Sequence, residues 1–539
     1  MSVAELAEQM ELGGDDAQPK KKRGRPPKHR GLLFAMDLGN GTTLIAYVNH
    51  LGQVVVLVDR EGLLATPTAI AFEGGDPDKP LFGRTALNFR KVHPEFSCVM
   101  MKRARGHGEV PGIVDKNGRV WTVGELETLF VQWRLKHAEE VTGESIIGVL
   151  VTVPADFNDA QRRATMDIVE NAGYKAIATI NEPTSAVISY ALGKTGVIAV
   201  IDIGAGTTDV TILRVEEGNV FTSLSTRGRD DLGGKEYTAR LVEFCISYAA
   251  QNGIALNPEE DFRDLVLLEN DCELAKLDLS SQESVEISFR AKGRVFDVTV
   301  TRSTFEELVA QLNQDIFELV TEALNDAHLQ PSDITDVVFA GGGCRVHCAR
   351  VSVETFFGVE KVKHNIDVDK AVITGAALAI GLKVQERIAA GDTALAGQVP
   401  EYHLHGDIRL REILGQALGV KALDLRSRKD VLAAVLAQGT PIPACETRTF
   451  GLMNGNRANV DAEIVVLQGN DNEPPDQAQV LAQFPLSKLP AGPTENRIQV
   501  SFSVDTNGLI EVKATDTFSG AEISGQADAR SAVAEQSLD

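Results

Sequence analysis

Residues 37–43 read Asp-Leu-Gly-Asn-Gly-Thr-Thr, and residues 202–208 read Asp-Ile-Gly-Ala-Gly-Thr-Thr. Each copy is entered and left by an apolar, β-branched run: FAMDLGNGTTLIAYV at 34–48 and IAVIDIGAGTTDVTILRV at 198–215. A glycine-rich turn between two such runs predicts a tight hairpin. Asp37 and Asp202 hold the same place in copies 165 residues apart, which predicts a domain built from two related halves. Glycines let backbone N–H groups approach phosphate oxygens, and threonine hydroxyls add donors. An aspartate at each strand end can hold the water shell of Mg²⁺, an ion that keeps several waters. Two such hairpins face to face would clamp a triphosphate, whereas ordinary Asp-Gly turns would not match over this length.

The chain between the copies alternates strand and helix. IIGVLVTVPADF (146–157) reads as a buried parallel strand ending at Pro154, and DAQRRATMDIVENAG (159–173) as a helix stopped by Gly173. DVVFAGGG (336–343) is a second buried strand running into glycines, and AVITGAALAIGLKV (371–384) is a helix buried on most sides. Alternation of this kind predicts an α/β fold. A P-loop is excluded, because Gly233-Gly234-Lys235 is followed by Glu236, and no G-x-G-x-x-G opens a helix in a Rossmann setting.

The order of these motifs resembles the actin-like ATPase fold, and specifically the 70-kDa heat-shock chaperones. LVTVPADFNDAQRRAT (150–165), INEPTSAVISYAL (180–192), LGGKEYTARLV (232–242), CELAKLDLSS (272–281) and VVFAGGGCRV (337–346) are all similar to segments of that family. The resemblance implies an α/β actin-like domain of duplicated, ribonuclease H-like halves over residues 31–385. It implies ATP/ADP and Mg²⁺ as cofactors, with Asp37, Asp202 and Asp209 acting on the metal through water. Lys102 would stand beside the γ-phosphate, and Glu182 and Thr207 would position the attacking water. Phosphate and adenosine would meet Gly39, Asn40, Gly41, Thr42, Gly204, Gly206, Thr208, Gly233, Gly234, Glu273, Lys276, Ser280, Gly341, Gly342, Arg345 and Asp369. Pro154 and Arg162 would report nucleotide state to a second domain. In-line hydrolysis of a γ-phosphate needs positioning and charge stabilisation more than a strong base, so the residue types suit the reaction.

Three departures weaken the expected site. Asn40 stands where the family has a threonine; Leu277 replaces an arginine that stacks on adenine; and Gly343-Cys344 replaces Ser-Thr. Losing a stacked cation costs on the order of 1 kcal/mol, so weaker ATP binding and slower turnover are expected, with a binding-only site as the alternative. Cys344, His347 and Cys348 invite a metal reading, but structural zinc needs four ligands and no second pair stands nearby. Small buried thiols at a helix start are the expected reading.

Residues 386–412 lose periodicity and read as a linker, with DIRLREIL (407–414) carrying charges where the family has a short aliphatic run. After residue 413, alternating runs such as AEIVVLQG, NRIQVSFSVD and LIEVKATD predict an antiparallel β-sandwich to about residue 530, the last two joined by Thr506-Asn507-Gly508. GTPIPACETRTF and its sequel resemble the chaperones' peptide-binding sandwich, which implies a cleft for extended apolar client peptides lined by Val420, Leu423, Phe450, Ala462 and Ile464. The same positions could simply be sandwich core. Because the sequence stops at Asp539, the family's helical lid is expected to be missing, and residues 531–539 read as a tail.

The charge is unevenly distributed. The chain carries −23, yet residues 20–30 (KKKRGRPPKHR) hold seven lysines and arginines and no acid. Arg23-Gly24-Arg25-Pro26 resembles the AT-hook, which implies contact with A·T-rich DNA in the minor groove; a solvated basic tail or an import-like signal would look similar. No apolar run reaches the ~20 residues of a membrane span, no secretory h-region opens the chain, and six irregularly spaced cysteines fit a reducing compartment. The expectation is a cytoplasmic, monomeric, ATP-hydrolysing chaperone with client polypeptides, a J-type co-chaperone and a nucleotide-exchange factor as partners. A DNA-associated, nucleotide-gated scaffold is the alternative, and a small-molecule kinase the least expected.

Overall fold

A computed structural model describes residues 31–526, apart from 259, 397 and 400–407. The basic segment 20–30 and the terminal tail therefore lie outside the described residues.

Each motif copy forms the hairpin its glycines require, and each hairpin nucleates the same sheet. In the first half, Leu32–Leu38 runs antiparallel to Thr42–Val48 and parallel to Ile146–Val153, with Ala176–Asn181 outside. In the second, Gly196–Ile203 runs antiparallel to Thr208–Glu216 and parallel to Asp336–Ala340. The two halves thus share strand order and direction, as the repeat predicts. Helices close the crossovers where their caps dictate. Thr122 and Glu125 form a reciprocal capping box before Val123–Thr142, and Asn158 and Gln161 do so before Asp159–Asn171.

Two helices, Glu182–Ala191 and Ala371–Ala389, fill the space between the sheets. They approach so closely at Gly375 that a Cβ there would lie 1.6 Å from the Ser185 carbonyl oxygen, so only glycine fits. Their apolar faces join both sheets in one core that includes Leu33, Ala35, Ile198, Val200, Ala376 and Ile380.

The C-terminal part is a sandwich of two four-stranded antiparallel sheets around a core with Val466, Val500, Phe502 and Val512. The hairpin joining Ile498–Val504 to Ile510–Asp516 turns at residues 505–509, where Gly508 takes φ +79°.

The segment expected to be an irregular linker is partly ordered. The Ala371 helix continues to Ala389, a short helix follows at Thr393–Ala396, and Arg409–Ile413 is a strand. That strand pairs in parallel with Val220–Arg229 and antiparallel with Pro441–Ile442, so it extends the second sheet. The arginines of this segment follow a strand's period of two: Ile408 and Leu410 pack into the core while Arg409 and Arg411 face solvent.

Candidate functional site

Both glycine turns close with the same backbone bond, Gly39 N–H to Thr42 O at 3.1 Å and Gly204 N–H to Thr207 O at 2.8 Å. The turns face each other across the cleft: a Cβ on Gly41 would lie 2.8 Å from the Ala205 methyl. Their backbones are therefore close enough to grip one ligand from two sides. The second threonine of each copy is spent on structure, Thr43 bonding Thr68 and Thr208 donating to the Leu232 carbonyl, both at 2.8 Å. The first threonines, Thr42 and Thr207, keep some exposure. Asn40 is buried, and neither atom of its amide has a hydrogen-bond partner among the described residues.

Acid residues converge behind the turns. Asp37 and Asp202 end the two central strands, Asp209 pairs with Asp202 in register, and Glu182 opens its helix. Lys102, on the short turn Met101–Ala104, reaches across and donates to Glu182 Oε1 at 2.5 Å; both side chains are buried. Thr152 donates to Asp37 Oδ1 at 2.8 Å. Burial, then repulsion from Glu182, pushes the Asp37 carboxyl up to about 6. The same causes, with Asp37 added, push Asp202 up to about 8. Asp209 is raised well above the carboxylate range, first by burial and then by Asp156. Repelling buried carboxylates gain from a cation placed among them. Asp209 Oδ1 is buried without a hydrogen-bond partner among the described residues, an open acceptor for such a ligand. No three histidine, cysteine or acid groups among those residues are grouped to hold a metal directly. The raised carboxylates and the open Asp209 acceptor suit a cation, and Mg²⁺ is one that prefers carboxylate oxygen and keeps several waters.

The residues assigned to the nucleoside gather next to the second turn. Gly234 N–H donates to Gly204 O at 2.9 Å and Lys235 N–H to Ala205 O at 2.8 Å, which ties the Gly234–Gln251 helix to the turn. Gly233 and Gly206 meet so closely that a Cβ on Gly233 would clash with Gly206 backbone at 2.8 Å. Lys276 is buried and donates to Gly234 O (2.8 Å), Thr238 Oγ1 (3.0 Å) and Glu273 Oε2 (2.7 Å). Ser280 is turned back on the Lys276 carbonyl at 3.3 Å. Gly341 abuts Asp202, and beyond Gly342 the Arg345 guanidinium grips Asp369 in two bonds of 2.6 and 2.8 Å. Leu277 is half exposed on the same helix as Glu273 and Lys276. Cys344 is buried, its thiol donating to Ala340 O at 2.9 Å, while His347 pairs with Glu306.

Sequence reasoning passed over three groups that the fold brings to this site. Arg103 donates to Gly206 O (2.7 Å) and Glu236 (2.8 Å), pinning the second turn from the opposite half; its position next to Lys102 was the available signal. Asp156, inside the quoted VPADF, flanks Gly228 together with Asp209: a Cβ there would lie 2.5 Å from Asp156 Oδ2 and 2.9 Å from Asp209 Oδ1. Burial and Asp230 push Asp156 up to about 6. Glu412, in the segment read as linker, accepts from Thr184 (2.8 Å), Ser223 (2.9 Å) and Asn181 (3.1 Å).

Arg162 lies beside this contact, bonded to Phe157 O, Ala155 O and Asn181. Around it the sandwich docks on the first half. Ile510 N–H donates to Asp159 Oδ1 (2.9 Å) and its carbonyl accepts from the Arg163 guanidinium (3.2 Å), Asn158 bonds Gln479, and Lys383 reaches Thr506 O at 3.4 Å. Pro154 follows the strand Ile146–Val153 directly into this region. A cavity of about 30 Å³ remains between the parts, lined among others by Asp156, Arg162 and Glu412.

The residues assigned to a peptide cleft divide. Val420, Ala462 and Ile464 are buried in the sandwich core, Phe450 packs half-buried against it, and Leu423 is exposed. Among the described residues no helix is long and apolar enough to cross a membrane. Compared with known families, the chain matches the family described as Hsp70 protein over residues 33–539.

Proposed function

The chain belongs to the Hsp70 family, and from that premise we propose that it is a chaperone-like ATPase that couples a nucleotide cleft to a client-binding sandwich. Membership carries an ATP-binding, chaperone-like function. The observation that bears the finer reading is the cleft itself, where two duplicated turns face each other over a buried Lys102–Glu182 pair and three aspartates. Backbone N–H groups of the turns would bind the phosphates, and Asp37, Asp202 and Asp209 would hold hydrated magnesium. The ion, when bound, neutralises phosphate charge. Lys102 Nζ stabilises charge developing on the γ-phosphoryl oxygens. Glu182 and Thr207 orient the attacking water, with Glu182 held in place by Lys102. The adenosine would lie by Glu273, Lys276 and Ser280 on one side and Arg345 on the other.

Coupling is supported by the docked sandwich: Arg162 and Glu412 meet at Asn181, one residue from Glu182. A nucleotide-driven shift of that helix would favour one sandwich state over the other. The test is ATP hydrolysis with and without an unfolded apolar peptide, beside Asp202→Asn. Turnover stimulated by peptide and lost in the variant is the expected result. Hydrolysis indifferent to peptide would remove the coupling, and no hydrolysis with retained ATP binding would leave a nucleotide-gated binder.

A further inference from the structure

We infer that the sandwich selects extended apolar client segments bearing acidic residues, a preference set by a basic hairpin tip; this rests on the client-binding reading above. The strands Ala417–Asp424 and Lys429–Leu436 form a hairpin whose outer end is apolar and basic together. Leu423 is 42 % and Leu425 84 % exposed, a degree of apolar exposure more useful to a partner than to the fold. Between and beside them stand Arg426, Arg428 and Lys429, all exposed.

The acids of the hairpin form no ion pair with these three, although the Asp424 carboxyl, held low first by the Ser427 hydroxyl, also feels the Arg426 charge. Asp430 pairs with Lys421 at 3.2 Å, and the Asp424 carboxylate is taken up by the backbone N–H groups of Arg426 (3.0 Å) and Ser427 (3.2 Å). Arg426, Arg428 and Lys429 make no ion pair among the described residues. A further guanidinium stands lower on the same sheet edge. Arg448 donates to Ala434 O at 2.6 Å and lies 5.4 Å from the Phe450 ring. Lys429 and Ala434 are five residues apart on one strand, about 16 Å, the span of a short extended peptide. A client at this hairpin would meet the three basic side chains beside Leu423 and Leu425 at the tip, whereas at the far end Arg448 and Phe450 stand near the Asp471 carboxylate, which accepts from Ala434 N–H at 3.2 Å. The chain as a whole is acidic, but at physiological salt charges beyond about 8 Å are largely screened. The local tip then decides which flanks are tolerated.

The test is fluorescence anisotropy of the full chain with two peptides that share one apolar core, one flanked by glutamates and the other by lysines. At physiological salt the acidic-flanked peptide should bind about tenfold tighter. The preference should shrink to within about twofold in R426A/R428A/K429A and at molar salt. The charge reversal R426E/K429E should turn it towards the lysine-flanked peptide. Equal binding of both peptides by the native chain, or an undiminished preference in the variants, overturns this inference alone. Failure of both peptides to bind overturns the client reading and this inference with it.

Discussion

The cleft and the sandwich both bury charge, and they do so in opposite ways. In the sandwich, Arg497 and Asp516 are fully enclosed and complete: two bonds of 2.8 Å join them, and Arg497 also donates to the carbonyls of Gly455 and Pro490. Arg497 and the Ser519 hydroxyl hold the Asp516 carboxyl far below the usual carboxylate range. In the cleft, Asp37, Asp156, Asp202, Asp209 and Glu182 share Lys102 as their common cation, and the four aspartates are pushed upwards. A balanced buried pair serves the fold. An unbalanced buried cluster costs the fold stability and is explained by a ligand that completes it.

The sharpest way to break this contrast is at Arg497. Replacing it with alanine strands a buried carboxylate, so chemical denaturation should show the sandwich destabilised by about 3–5 kcal/mol. Lys102→Ala should lower the single-turnover hydrolysis rate by about 10²–10³-fold and also destabilise the nucleotide-free chain, because it leaves buried Glu182 and the four aspartates without their common cation. Asp202→Asn should move the two properties apart, raising the nucleotide-free melting temperature by about 2–4 °C while abolishing hydrolysis. A drop in melting temperature would mean that the cleft charges are balanced after all.

Acid titration should separate the two regions by sign. Asp516 has a depressed folded-state pKa, so its stabilisation is present above the unfolded carboxylate value near 4 and is lost as pH falls below it. Asp202 has a raised one, so the nucleotide-free cleft binds more protons than the unfolded chain and loses stability as pH rises from about 4 to about 8. Melting curves from about pH 2 to about pH 8, followed for each part separately, check the two slopes. The smallest effect belongs to Thr152→Val, which removes one hydrogen bond to Asp37 and should cost about 1 kcal/mol or less of nucleotide affinity.

The duplicated halves were legible because glycines and aspartates sit at fixed offsets that only a hairpin satisfies. The offsets named Asp37 and Asp202 as candidates, and the resemblance alone named Lys102. Neither named Asp156, Arg103 or Glu412, because each acts through a partner distant in sequence, and distance in sequence hides pairing. The strand Arg409–Ile413 was not legible for another reason. An alternation only four residues long, Ile408 to Arg411, is too short to stand out within a stretch that otherwise loses periodicity. The peptide positions were split because apolar residues in a sandwich serve core and cleft alike, and only exposure tells them apart. Leu423 stands out on that criterion, whereas Val420 does not.

The strand Arg409–Ile413 has one more consequence. It pairs with Val220–Thr222 on one side and with Pro441–Ile442 on the other, so a single hydrogen-bonded ladder runs from the nucleotide half into the sandwich. Backbone amides along that ladder share one opening event. Their exchange with deuterated solvent would therefore keep common time, slow while the parts are joined and fast when they separate, giving the protein a built-in clock for docking that needs no label.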